Sequence, residues 1–315
     1  MSRPSLYKSG RRLFALPLFQ TILVFAFLSI VPFSAAHARH LYFQSDRAVL
    51  RWSEDSGTFD TVWRAPFTIN DVSVSEDCRF ICFTKPATKD DSRPEREVGY
   101  YSVRDRKVTL INSKTLFNFG AIISPSDKYI AFSYLPDNLG WKTALYDRVQ
   151  GTIVGSVVPT PTDESYNAFS WRSDSLLCFA TLDKIVEKSI YGDSSTKIFT
   201  MPDTTVSFTV PGAEMIFLGD TAFVFKCSDD IRTISDEFDG PPTNIFLVQG
   251  HSIERLFTEK EDVSACYLSD NYLYIEYTDY ALSNDGMKKL MRYDLRNKQR
   301  SPLISLGSLV GVSSH

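Results

Sequence analysis

The sequence predicts an all-β fold: a six-bladed β-propeller of four-stranded antiparallel blades, closed by the C-terminal strand joining the N-terminal blade. Three observations carry this prediction. A phrase made of an Asp-centred turn and an apolar strand with an aromatic or aliphatic end returns about every 47 residues. Each copy is followed by a second, hairpin-like pattern. The chain also ends in an apolar run that none of its own hairpins needs.

The copies end at Phe43, Phe83, Phe132, Phe179, Phe225 and Ile275, with spacings of 40, 49, 47, 46 and 50 residues. Such a period is long for helical repeats and suits a four-stranded blade. In the first blade HLYF ends at Phe43, and the hairpin VLRWSEDSGTFDTVW follows from Val49. In the second, SEDCRFICF precedes YYSVRDRKVTLI, with Cys78 where the turn Asp is expected. The third pairs SPSDKYIAF, residues 124–132, with ALYDRVQGTIVGSVV, and the fourth pairs WRSDSLLCF with SIYGDSSTKIFTM. The fifth has FLGDTAFVF and IFLVQGHSIERLF, and the sixth LSDNYLYI and LMRYDLRNKQRSPLI. Each second pattern holds two β-branched or aromatic runs around a polar turn, as a hairpin requires. Asp127, Asp174, Asp220 and Asp270 share one turn position, where Asp is expected to bond nearby backbone, which makes them scaffold.

One blade cannot bury its own faces, so the sheets must pack on one another around an axis. The first copy lacks an innermost strand, and SLVGV at 308–312 is spare. It is expected to complete blade one and close the ring.

SPSDKYIAF resembles the repeat of the TolB-type propellers, whose blades carry a Ser-Pro-Asp-Gly-Lys turn leading into a strand of the type Ile-Ala-Phe. The resemblance extends over most of residues 40–312. It implies a noncatalytic scaffold that binds protein partners in the bacterial envelope. The family's propellers follow a separate N-terminal domain, which is not expected here because the blades start directly after the leader. The same repeat builds the propeller of prolyl-oligopeptidase-type peptidases.

Residues 1–38 read as a signal peptide. Arg3, Lys8, Arg11 and Arg12 precede a nearly continuous apolar run at 13–31, and Ala36, His37 and Ala38 form a small-x-small cleavage pattern. Residues 39–315 are then the propeller. The 19-residue run is also long enough to act as an uncleaved anchor, the one route by which the protein would contact a membrane. Sec-type export to the periplasm or the exterior is expected. Five cysteines without regular spacing do not make a disulfide framework, and Cys82 and Cys178 stand where blade three has Ala131, as small buried hydrophobes.

The chain carries a net charge of −4, which becomes −8 once the four cations of the leader are removed. That opposes nucleic-acid binding. Charged and aromatic loops concentrate between the second and third strands of the blades, on the face that also carries the inter-blade links, and rigidly held loops are where binding concentrates. The binding candidates are Tyr134 and Trp141 in YLPDNLGWK, together with Asp229, Asp230, Asp236 and Glu237 in the acidic stretch 226–242. Those acidic residues match no regular calcium loop, so no metal and no cofactor are expected.

Catalysis finds little support. His40, His251 and His315 form no cluster, no GxSxG elbow occurs, and no phosphate loop is present. The inner strands VSVS, AIIS, AFSW, EMIF, SACYL and LVGV are apolar and small apart from Glu214. The expected function is therefore a protein-interaction scaffold without catalytic residues. The alternative is a propeller that binds or processes a small ligand or carbohydrate in its central tunnel.

Overall fold

Alternate residues of the repeated strand bury against opposite neighbours, which is why the phrase is apolar at nearly every position rather than at every second one. In the computed structural model Ile81 and Phe83 pack toward blade one with Tyr42, Val49 and Trp63. Phe80 and Cys82, the residues between, pack toward blade three with Ile130, Phe132 and Ala144. Ala131 faces the other way, onto Phe169, Leu177 and Phe179 of blade four. A strand buried on both faces reads as a continuous hydrophobic run, and burying each large side chain contributes roughly 1.5–3 kcal/mol.

The structure describes residues 39–88, 90, 93–135, 141–157, 169–180, 184–192, 195–200, 216–217, 222–228, 243–249, 252–259, 262–279 and 287–313. The leader expected at 1–38 lies outside them. Among the described residues there are strands and turns and no helix.

Blade one begins with β1 (His40–Ser45), β2 (Ala48–Ser53) and β3 (Phe59–Arg64). Blade two is β4 (Asn70–Val74), β5 (Phe80–Pro86), β6 (Arg96–Ser102) and β7 (Lys107–Ile111). Blade three is β8 (Asn118–Ile123), β9 (Tyr129–Tyr134), β10 (Lys142–Asp147) and β11 (Thr152–Val157). Blade four is β12 (Phe169–Ser173), β13 (Leu176–Ala180), β14 (Lys184–Ser189) and β15 (Ser195–Thr200). Blade five is β16 (Ile216–Phe217), β17 (Ala222–Ser228), β18 (Thr243–Gln249) and β19 (Ser252–Glu259). Blade six is β20 (Asp262–Ser269), β21 (Tyr272–Asp279), β22 (Met287–Asp294) and β23 (Arg300–Leu303), and β24 (Ser308–Ser313) ends the chain. Each blade is a four-stranded antiparallel sheet in sequence order, except that β24 lies inside β1 in the order β24-β1-β2-β3.

The closure therefore runs as the two chain ends predict, with Leu41 opposite Val312 and Gln44 opposite Ser308. A bulge between Tyr42 and Phe43 lets Val310 face blade two while Leu309 faces blade six. Gly311 belongs here for lack of space: a Cβ on it would stand 2.9 Å from Cβ of Val74 on β4.

Polar contacts tie the closing strand to the last blade. The Glu276 side chain, 1 % exposed on β21, accepts the Leu309 N–H of β24 at 2.6 Å and the Ser264 hydroxyl at 2.7 Å, and pairs with Lys288 at 3.2 Å. Nearby, Glu54 of blade one accepts the Tyr274 hydroxyl at 2.8 Å and pairs with Arg292. Arg39 stacks on Tyr272 at 4.3 Å and reaches Asp270 at 3.3 Å. The blade one–blade six seam is thus crossed by charge as well as by packing.

Candidate functional site

The turn carboxylates come first, because the sequence repeats them. Cys78, Asp127 and Asp270 all take left-handed backbone, with φ of 55°, 60° and 54°. That conformation explains the polar turn residue, since Asp and Asn tolerate it better than most side chains. For Asp127, Asp174 and Asp270 the expectation that the carboxylate bonds its own turn is corrected by the structure. In blades two and three it is the leading serine that closes the turn: Ser75 Oγ accepts from Phe80 N at 3.0 Å, and Ser124 Oγ from Tyr129 N at 3.1 Å.

The carboxylates instead reach a neighbouring blade. Asp174 of blade four accepts the Ser126 N–H of blade three at 2.9 Å. Asp127 of blade three lies 2.7 Å from Nη2 of Arg79 in blade two, and Asp270 of blade six meets Arg39 of blade one. A side chain that points along the ring finds its partner in the next sheet, which a local turn rule cannot anticipate. Burial, together with the charge of Asp77, holds the Asp127 carboxyl above its ordinary range, against the pull of Arg79 and Arg148. Burial is the largest single influence on Asp174 and opposes its ionisation, but the hydrogen bonds from Ser126 and Ser124 and the charge of Lys128 together outweigh it, and the net shift is downward. These remain scaffold residues; Asp220 lies outside the described residues.

Tyr134 ends β9 and Trp141 directly precedes β10, so the structure brings them to one edge of blade three. Both are half-buried. Trp141 packs edge-on against Phe119 of β8 at 5.2 Å, and Tyr134 packs on Phe132 at 6.1 Å. Both rings are therefore partly covered by aromatic side chains of their own blade. Asp229, Asp230, Asp236 and Glu237 lie outside the described residues, as does Glu214.

The feature that the sequence did not single out is the shape of the axis. A cavity of about 390 Å³ is walled by side chains from the inner strands of all six blades. Its wall includes Val74, Ile122, Phe169, Ile216, Leu268 and Val310. It extends to the turns after those strands, at Glu76 and Pro125, and to Arg172 near the end of β12, on the face opposite the inter-blade links. Several polar groups of this wall are engaged within the protein. Ser73 Oγ donates to Ala121 O at 2.6 Å, Trp171 Nε1 donates to Ile122 O at 3.3 Å, and Arg172 pairs with Glu187. Glu76, at the mouth, is exposed and makes no ion pair with a described residue. No group of three or more His, Cys, Asp or Glu side chains able to hold a metal occurs among the described residues. The described wall can therefore enclose an apolar group beside a carboxylate. The apolar inner strands were legible in the sequence, but the width of the ring that makes them a cavity was not.

Comparison with protein-family models found no match, and neither did comparison with the curated proteins. Solved structures do match. TolB from Acinetobacter baumannii superposes with a TM-score of 0.65 at 11 % identity, over 91 % of this chain and 69 % of that one. A protein assigned as TolB from Agrobacterium tumefaciens gives 0.58 at 14 %, over 85 % and 92 %. The β-propeller domain of the Trilobed protease from Pyrococcus furiosus, described as having an open velcro topology, gives 0.50 at 11 %, over 85 % and 81 %. At these identities the likeness is one of fold: the chain is folded as a TolB-like propeller.

Proposed function

We propose that the chain is an exported, noncatalytic propeller that serves as a protein-interaction scaffold in the bacterial envelope. The observation that carries this reading is the axial cavity, an apolar depression on a ring, with an exposed carboxylate at its mouth that pairs with no described cation. Such a site suits an apolar anchor from a protein partner with a cationic flank. The TolB-like fold supports the same reading, and so does the leader expected at residues 1–38, which would leave a mature chain beginning at Arg39.

Crosslinking and pull-down from the native envelope, comparing the parent with Leu268→Arg, tests the proposal. Leu268 lines the cavity and is only partly buried, so a cation there obstructs the depression. A partner captured by the parent and lost in a variant that melts normally supports the reading. Retention of every partner defeats it. Intact-mass measurement of the exported protein tests the leader, with Arg39 as the expected first residue.

The cavity volume favours one second reading, a small ligand held in the tunnel, because about 390 Å³ falls in the range of small-molecule pockets. A purified mature protein that retains a stoichiometric small molecule or divalent ion would favour that reading over the scaffold.

A further inference from the structure

Away from the axis, the outer edges of the six blades are not equivalent. An outer strand pairs on one side only, so its other side carries a row of backbone N–H and C=O groups that invites a further strand. Among the described strands, five of these edges are interrupted. β3, β11, β15 and β19 each carry a bulge, at Val62, Val154, Ile198 and Leu256, where one residue stands without an opposite number on the neighbouring strand. A bulge bends the strand and breaks the even spacing of its free groups. β23 has only four residues and holds Pro302, which has no N–H to offer.

β7 has neither device. Its five residues pair without a break, from Lys107 opposite Ser102 to Ile111 opposite Val98, and no described strand lies on its other side. Cations stand at both ends of this edge. Arg104, Arg106 and Lys107 are exposed where the hairpin turn enters β7, and Lys114 is exposed in the link that leaves it. None of the four makes an ion pair with a described residue, and Asp105 between them is occupied in accepting the Ser102 hydroxyl at 2.7 Å. Lys114 shares the wall of a cavity of about 300 Å³ with Leu110 and Ile111, which places it beside the end of the strand.

These charges select the occupant. Pairing β7 antiparallel with the same strand of a second copy, centred on Thr109, would set Arg104 of each copy level with Lys114 of the other, so like charges would meet at both ends. A strand with acidic residues at its two ends meets opposite charge instead. We propose that the outer edge of blade two takes up an extended segment of a partner polypeptide as a fifth strand, with backbone hydrogen bonds along β7 and acidic flanks beside Arg104, Arg106, Lys107 and Lys114. This surface is separate from the axial cavity, so either can fail without the other.

The test is a fluorescence-polarisation titration of the full chain with a labelled nonapeptide, a Thr-Val-Thr-Val-Thr core between two pairs of aspartates. Saturable binding is expected. Backbone groups alternate in direction along a strand, so N-methylation of one alternate set of core residues should weaken binding about tenfold or more, and methylation of the other set should leave it within about twofold. A core read only through its side chains would not divide in this way. Replacing the aspartates by lysines, or the double substitution Arg106→Asn with Lys114→Asn, should weaken binding about fivefold or more. Asn suits the left-handed φ of 53° and 62° at those two positions, so the variant is expected to fold. In hydrogen exchange read by mass spectrometry, the peptide should protect residues 107–111 and leave 59–64 of the bulged β3 unchanged. No binding at millimolar peptide, an equal effect of the two methylated sets, indifference to the charges, or protection elsewhere than at 107–111 would each overturn the proposal. So would a dimer of the free protein that already protects 107–111, since a second copy would then be the occupant.

Discussion

Among single residues, the turn position of the repeat separates shape from charge. Asp127 is held in left-handed backbone and its carboxyl is pushed up by burial. A folded-state value above the unfolded one means the charged form is disfavoured by folding, so this group's contribution falls as pH rises through that window. Asn keeps the backbone preference without the charge. Asp127→Asn is therefore expected to melt at or above the parent temperature at pH 7, while Asp127→Ala melts lower. Asp174 has the opposite sign. Its folded-state value is depressed, so it stabilises above the unfolded value and that contribution is lost as pH falls through the folded one. In urea titrations between pH 3 and 7, Asp174→Asn should lose less stability on acidification than the parent. The buried thiols follow from burial alone: Cys82 and Cys178 are fully buried, and desolvation pushes both up to about 12. Iodoacetamide should leave both unmodified in the native protein and label both in urea, as read by peptide mass spectrometry. That these cysteines are core was legible from their alignment with Ala131. That the turn carboxylates bridge blades was not, because a local turn pattern contains no information about the next sheet.

For the individual elements, β24 is the informative case. Its apolar run was legible as a spare strand because the first repeat lacked one. What holds it was not legible, since Glu276 lies in the middle of an ordinary strand pattern and nothing local marks it as the acceptor of Leu309 N. Removing that carboxylate leaves the buried Leu309 N–H without its acceptor, while Lys288 keeps only its hydrogen bond to Ser264 Oγ. Glu276→Ala is expected to destabilise by about 1–3 kcal/mol in equilibrium urea unfolding, the scale for leaving a buried donor without its acceptor. The same contrast holds in blade three. Tyr134 and Trp141 were recognisable as aromatics beside a loop, but the contacts with Phe132 and Phe119 that half-bury them are made in three dimensions.

The ring as a whole has one seam where sequence-distant segments meet, between blades one and six. Truncation after Leu306 deletes β24 and should lower stability by at least about 3 kcal/mol, counting only the burial of Leu309 and Val310 at roughly 1.5 kcal/mol or more each. Thermal melting of the truncated and parent proteins checks this, and equal melting temperatures would remove β24 from its closing role. The sequence by itself determined the number of blades, the strands of each and the place of closure. Those follow from a period, and a period is a local pattern that survives the divergence of its copies. Only the tertiary structure decided which side chains cross between blades and that the inner strands enclose a cavity. Each of these depends on distances between sheets, and those are set by how six imperfect copies pack into one closed ring rather than by any copy alone.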